Sequence, residues 1–218
     1  MHRQITATVV AVTASISLAS GVASADGQIL GGGAGIVVAG NHCTLATIGH
    51  DKTGALVGFT AGHCGGPGAD VVAEGGGPIG TVVDVGEMDY GVIKFDPAKV
   101  TPTSSFAGFP VNGVGPDPEW HQAACTDGAA NGVRCGGVAS MPGPGPRGAI
   151  SRSPFQAGDD GSPITCDGHL IGIAFGGIDT PGDLQGLAPS HFTNFTKFSA
   201  IMGDVNARGG VGAGFSPI

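Results

Sequence analysis

The chain has 218 residues, of which 43 are Gly and 15 Pro, while 12% are charged and 41% hydrophobic. That hydrophobic share, with recurring β-branched clusters, argues against disorder, and so few charges leave polar loops rather than charged helices between the elements. The formal net charge of −8 comes from scattered acids with no basic stripe to neutralise phosphates, which sets nucleic acid aside as a partner.

At the N-terminus His2 and Arg3 precede an apolar run over 5–18 and a small-residue stretch, Gly21-Val22-Ala23-Ser24-Ala25, with Ala at positions −3 and −1 before Asp26. This reads as a secretory signal peptide over 1–25, its apolar part shorter than the roughly 20 residues of a bilayer span. No membrane span is expected in the mature chain, and the expected location is secreted, extracellular or in the cell envelope. From there short β-type clusters recur at 35–39, 44–48, 56–60, 71–72, 79–85 and 90–95, then at 136–140, 164–166 and 170–175. Gly, Pro and Asp clusters separate them, which predicts an antiparallel barrel or sandwich. Prolines between 96 and 118 mark the connection between two β units. Near the end the period changes: Phe195, Phe198, Ile201, Met202 and Val205 predict a helix over about 196–206 with its apolar stripe on the β core. The glycine-rich residues 209–218 are expected as a mobile tail. The run Gly31-Gly32-Gly33 is followed by neither Lys-Ser/Thr nor a helical pattern, so it is no phosphate loop, and no cofactor is expected.

All five cysteines, Cys43, Cys64, Cys125, Cys135 and Cys166, follow the cleavage point without C-x-x-C spacing, and in an exported chain they read as disulfide formers. Sequence alone leaves the pairing open. The neighbour pairs Cys43–Cys64 and Cys125–Cys135 would each close a short loop, contributing about 3 kcal/mol by the chain-entropy estimate. Cys166 is then left over, either as a buried free thiol or for an intermolecular bond.

The segment Phe59-Thr60-Ala61-Gly62-His63-Cys64-Gly65 closely resembles the catalytic-histidine segment of chymotrypsin-like (trypsin-family) serine proteases, especially their bacterial branch. Residues 35–40 and the Cys43 segment resemble the first strands of the same enzymes, with Cys43 where a partner for Cys64 belongs. Met88-Asp89-Tyr90-Gly91-Val92-Ile93 resembles the strand that carries the family's aspartate. Cys125 to Cys135, the loop Gly158-Asp159-Asp160-Gly161-Ser162-Pro163 and the strand Ile171-Gly172-Ile173-Ala174-Phe175-Gly176-Gly177 follow in the family's order, so the resemblance spans about 35–206. It implies an all-β fold of two packed six-stranded antiparallel Greek-key barrels with a C-terminal α-helix. Barrel one is expected over about 30–100 and barrel two over about 110–190, with the site between them. The resemblance places His63, Asp89 and position 160 as the catalytic set, in one of the known chain orders of the triad. It makes the backbone N–H groups of Gly158 and Asp160 the oxyanion donors. It also makes the Gly176–Gly177 edge the place where an extended peptide or protein ligand adds as a strand.

One departure from that pattern decides the expected chemistry. Where the family has its attacking serine, this chain has Asp160. A carboxylate is a weak acyl acceptor that would give a reactive anhydride, and its charge would repel the developing oxyanion. Ser162 lies two residues past the nucleophile position, where its hydroxyl should point away from His63. A metal held by His63, Asp89 and Asp160 is disfavoured because the triad arrangement sets the two carboxylates on opposite edges of the imidazole, so no metal is expected. The expected consequence is a charged His63 between two carboxylates, its pKa raised. Further departures are Phe175, where the family usually has a serine near the triad aspartate, and Thr126, where bacterial relatives often carry a basic residue. Asp159 thus lacks its usual partner, for which Arg134 is the candidate, and Pro154 in the specificity-pocket wall implies no charged preference. His42, His50, His121, His169 and His191 show no ligand spacing and read as surface or structural. The expected function is that of a secreted, catalytically inactive protease homologue that binds peptide. The alternatives are an active serine endopeptidase using Ser162 or a rearrangement, and a disulfide-stapled structural domain.

Overall fold

The computed structural model describes residues 27–140, 145–180 and 190–218. The signal-peptide reading of 1–25 lies outside the described residues. The first half contributes β1 (Gln28–Leu30), β2 (Gly35–Val38), β3 (Asn41–Thr44), β4 (Thr47–His50), β5 (Leu56–Ala61), β6 (Asp70–Ala73), β7 (Pro78–Gly86), β8 (Tyr90–Phe95) and β9 (Val100–Pro102). A hairpin of β10 (Ser105–Phe106) and β11 (Phe109–Pro110) lies in the connection. The second half holds β12 (Ala123–Gly128), β13 (Gly132–Ser140), β14 (Arg147–Ser151), β15 (Pro163–Cys166), β16 (His169–Thr180) and β17 (Ser190–Lys197), then α1 (Phe198–Arg208) and β18 (Ser216–Pro217).

Six strands of the second half close into an antiparallel barrel in the order β12-β13-β14-β17-β16-β15, with β15 returning to β12. In the first half an eight-stranded sheet, ordered β18-β4-β5-β8-β7-β6-β2-β3, curls into a half-barrel. The chain between β3 and β4 extends both neighbouring pairs: Leu45 exchanges hydrogen bonds with Gly33 and Ala34 beside β2–β3, and Ala46 N–H donates to Phe59 C=O beside β4–β5. The all-β, two-barrel architecture with a C-terminal helix is therefore as the motifs implied, with the first barrel open and widened by the returning C-terminus.

Three apolar clusters follow from the strand alternation. One fills the first barrel around Ile36, Val38, Leu45, Val71 and Ile93, and one fills the second around Val138, Ile150, Ile164, Ile171 and Phe195. The third joins the halves to the helix through Phe59, Tyr90, Leu170, Ile173, Phe198 and Ile201. Each large side chain buried there contributes about 1.5–3 kcal/mol against the entropy of ordering the chain.

The helix starts at Phe198 rather than 196, because Thr196 and Lys197 still pair with Ile173 and Gly172 in the β16–β17 ladder. Phe195, counted with the helical stripe from the sequence, instead points into the second barrel. Nor is 209–218 a mobile tail. Gly209 caps α1 in the left-handed conformation (φ 69°), where a side chain would be strained. Asp51 then accepts the Gly212 N–H, Lys52 N–H donates to Ala213, β18 pairs with β4, and the Phe215 ring packs edge-on to Phe59 at 5.0 Å. Sequence reading saw four glycines without periodicity and could not see the acceptor and apolar surface that hold them.

Both neighbour disulfides are formed. Cys43–Cys64 ties β3 to the turn after β5, and Cys125–Cys135 is a cross-strand pair in the β12–β13 ladder. Cys166 is the one free cysteine among the described residues, buried in the second barrel, and burial first and the Asp167 charge second push its thiol up to about 11. It behaves as a small apolar side chain rather than a nucleophile.

Candidate active-site cleft

His63 sits in a single 3-10 turn, Gly62–Cys64, that ends the wholly buried strand β5. Its backbone N–H donates to Asp89 Oδ1 at 2.8 Å, and its Nδ1 lies 2.8 Å from Asp89 Oδ2. Asp89 holds φ 62° at the β7–β8 turn, a left-handed position that Asp tolerates better than bulky residues do. One carboxylate thus fixes both the turn and the ring orientation.

The loop from the second barrel meets this turn from the other side. Thr44 at the end of β3 grips it twice, its Oγ1 donating to Gly158 C=O at 2.7 Å and its N–H to Asp160 C=O at 2.8 Å. Gly158 and Gly161 carry φ 104° and 88°. A Cβ at Gly161 would lie 2.1 Å from Thr60 Oγ1 and 2.3 Å from Thr44 O, so only Gly allows the loop to approach this closely. The Asp160 side chain therefore projects at the imidazole, with Oδ1 3.1 Å from His63 Nε2. Side-chain exposure is 47% for His63, 26% for Asp89 and 20% for Asp160. The ring is held between two carboxylates, one on each nitrogen.

The electrostatics follow from that geometry. Burial alone would lower the His63 pKa, but the hydrogen bond and charge of Asp89, joined by those of Asp160, outweigh it and hold it above the ordinary value. Burial pushes the Asp160 carboxyl up; His63 opposes this, Asp89 and Asp159 add to it, and the result stays above the usual aspartate value. Both carboxylates favour the protonated ring over the neutral one.

Ser162 is 0% exposed, and its Oγ accepts a hydrogen bond from Thr126 Oγ1 at 3.0 Å. Its hydroxyl belongs to the packing beneath the loop rather than to His63, and Thr126 has this structural use. Asp159 does not pair with Arg134, which is exposed and donates to Val133 C=O. It is buried instead under four donors: the N–H groups of Ala130, Asn131 and Gln156, and Asn131 Nδ2 at 2.8 Å. Sequence reasoning missed Asn131 and Thr44. The Asn131-Gly132 pair signals a hairpin turn, but nothing local marks the carboxylate 28 positions on that it binds.

Among the described residues, neither the Gly158 nor the Asp160 amide N–H donates to another group. β15 leaves the β16 ladder at Ile173, while β17 continues along β16, so among the described residues one edge of β16 is unpaired by strand beyond Ala174. Gly176 has open space at its side-chain face, whereas Gly177 lies against Phe155, whose Cβ is 2.3 Å from where a Gly177 Cβ would stand. Phe175 falls at a bulge between the paired residues Ala174 and Gly176, and its ring faces the Arg147 guanidinium at 4.8 Å. No group of three or more His, Cys, Asp or Glu able to hold a metal occurs among the described residues. Of the other histidines, His42 pairs with Glu74 at 2.8 Å and His121 stacks on Trp120.

No protein-family model matches the chain, and no curated protein sequence does. Solved structures do match in fold. The Nocardiopsis protease NAPase superposes with a TM-score of 0.65 at 19% identity, over 82% of this chain and 97% of that one. A glutamic acid specific serine protease gives 0.65 at 19%, covering 87% and 100%. The Cellulomonas bogoriensis chymotrypsin gives 0.58 at 22%, covering 87% and 98%. These structural neighbours are chymotrypsin-like serine proteases, and at such identities the likeness is one of fold.

Proposed function

We propose that this chain is an exported chymotrypsin-fold protease homologue that has lost peptide hydrolysis and keeps a cleft for an extended peptide or protein ligand. The observation that carries the reading is the 3.1 Å contact between His63 Nε2 and Asp160 Oδ1. In hydrolysis by this fold, that nitrogen must take a proton from a hydroxyl nucleophile and pass it to the leaving amine. Here that nitrogen faces a carboxylate oxygen instead of a hydroxyl, so there is no nucleophile proton for it to take. Asp160 offers no hydroxyl to be activated, and attack by its carboxylate on an amide would have to form an anhydride while expelling an amine, a poorer leaving group than the carboxylate. Loss of the nucleophile in such triads removes on the order of 10⁶ in turnover. The burial of Ser162 beneath the loop argues against an active enzyme that uses it.

What supports binding is the framework left in place. The imidazole turn, the two N–H groups of the Gly158–Asp160 loop and the edge of β16 beyond Ala174 are all retained, and an added strand would gain main-chain bonds on that edge. Two disulfides suit an oxidising compartment, which agrees with export. Incubation with unfolded casein tests the reading. The native protein is expected to cleave no faster than His63→Ala, and turnover that His63→Ala abolishes would overturn it. Calorimetry with extended peptides then separates a binding module, which gives saturable heat, from an inert scaffold, which gives none.

A further inference from the structure

The single tryptophan of the chain is spent on the surface. Trp120 is 68% exposed, on a segment joining the two halves that no part of the cleft uses. Single exposed apolar side chains are ordinary on protein surfaces, so the exposure counts only with what surrounds the ring. This loop is tied down. Glu119 N–H donates to Gln122 Oε1, Gln122 N–H returns to Glu119 C=O, and His121 and Gln122 exchange backbone bonds with Val138 of β13. Asp117 binds Lys197 at 3.1 Å and the Ser199 hydroxyl, anchoring the segment to the start of α1. The His121 ring stacks on the indole at 5.0 Å and 26°, covering one face and bracing it. The result is a rigid aromatic plate at the side of a groove of about 590 Å³, lined by Pro116, Asp117, Glu119, Trp120, His121 and Gln122.

The charges beside the plate select what it fits. Asp117 is already occupied, but the exposed Glu119 forms no ion pair among the described residues. An open indole face with an unpaired carboxylate next to it, on a chain of net charge −8, is complementary to a cation. We propose that Trp120 and Glu119 form a docking site for a Lys or Arg side chain carried on a basic segment of a partner protein. The cation lies over the indole face and the carboxylate neutralises it from the rim. The site is independent of the cleft, and its use would let the chain hold a partner whether or not the cleft is filled.

Because Trp120 is the only tryptophan, its emission reports the site directly. Titration with a ten-residue peptide of alternating Gly and Arg is expected to change that emission saturably, with weaker binding as salt rises. By calorimetry, Trp120→Ala should weaken binding about tenfold and Glu119→Gln about threefold, while Asp70→Asn at a distant exposed acid leaves it unchanged. Three results would overturn the proposal: no binding of the Arg peptide at millimolar concentration, binding that Trp120→Ala leaves intact, or Trp120-dependent binding of a β-linked glucose tetramer in place of the peptide.

Discussion

Asp160 puts a carboxylate oxygen 3.1 Å from the imidazole Nε2, opposite the carboxylate of Asp89 on Nδ1. Its backbone is fixed before its side chain is considered: Thr44 and Thr60 from the first half contact Gly158, Asp160 and Gly161 of the loop. Gly161 is the residue on which this depends most. With φ 88° and a Thr44 carbonyl 2.3 Å from its missing Cβ, alanine there adds left-handed strain of about 1–2 kcal/mol to an overpacking cost of about 1–3. Gly161→Ala should therefore lower unfolding free energy by about 3 kcal/mol in urea titration and lengthen the His63–Asp160 contact. A change within about 0.5 kcal/mol, the range of ordinary surface substitutions, would show the loop is not clamped as described. His63, Asp89 and Asp160 were all legible in the sequence because each lies in a contiguous motif whose neighbours set its register.

At the scale of elements, the loop between β14 and β15 is held by a buried carboxylate under amide donors instead of an ion pair. Asn131 at the tip of the β12–β13 turn supplies both its backbone N–H and its side-chain N–H to Asp159. Removing the side chain strips one charge-assisted bond and leaves the carboxylate less well solvated, a cost of about 1–3 kcal/mol. Asn131→Ala is expected to destabilise by that amount in urea titration, while Arg134→Ala, at an exposed side chain that donates to its neighbour's carbonyl, stays within about 0.5 kcal/mol. This partnership was not readable beforehand, since Asn131 and Asp159 meet only when two loops converge. Elements with dense β-branched or aromatic runs, such as β5, β7 and β8, stood out in the sequence. β3 begins with exposed Asn41 and His42, and β12 ends in Asp127 and Gly128, so neither carries a period strong enough to mark its bounds. The C-terminal segment was misread for a related reason: its order comes from Asp51, Phe59 and β4, all distant in sequence.

Across the whole molecule, the imidazole turn belongs to the first half and Asp160 to the second, so their pairing is one of the bonds that join the two halves. Its pH dependence follows from the two shifts. His63 has its folded pKa raised above the unfolded value of about 6.5, so its contribution is fully present below that value and is lost as pH rises through the folded pKa. Asp160 is also raised, by burial, so its proton is likewise held more tightly in the folded state, and acid relieves the cost of its buried charge while exchanging the ion pair for a neutral hydrogen bond. The pair is therefore charged over the interval between the Asp160 and His63 titrations. The measurement that tests this most directly is a ¹⁵N NMR titration of the His63 imidazole in the native protein and in Asp160→Asn. The native ring should titrate above the ordinary histidine value, with both nitrogens protonated below that midpoint, and Asp160→Asn should bring it down. A native ring already neutral well below pH 7, with one nitrogen unprotonated as in a working general base, would contradict the account.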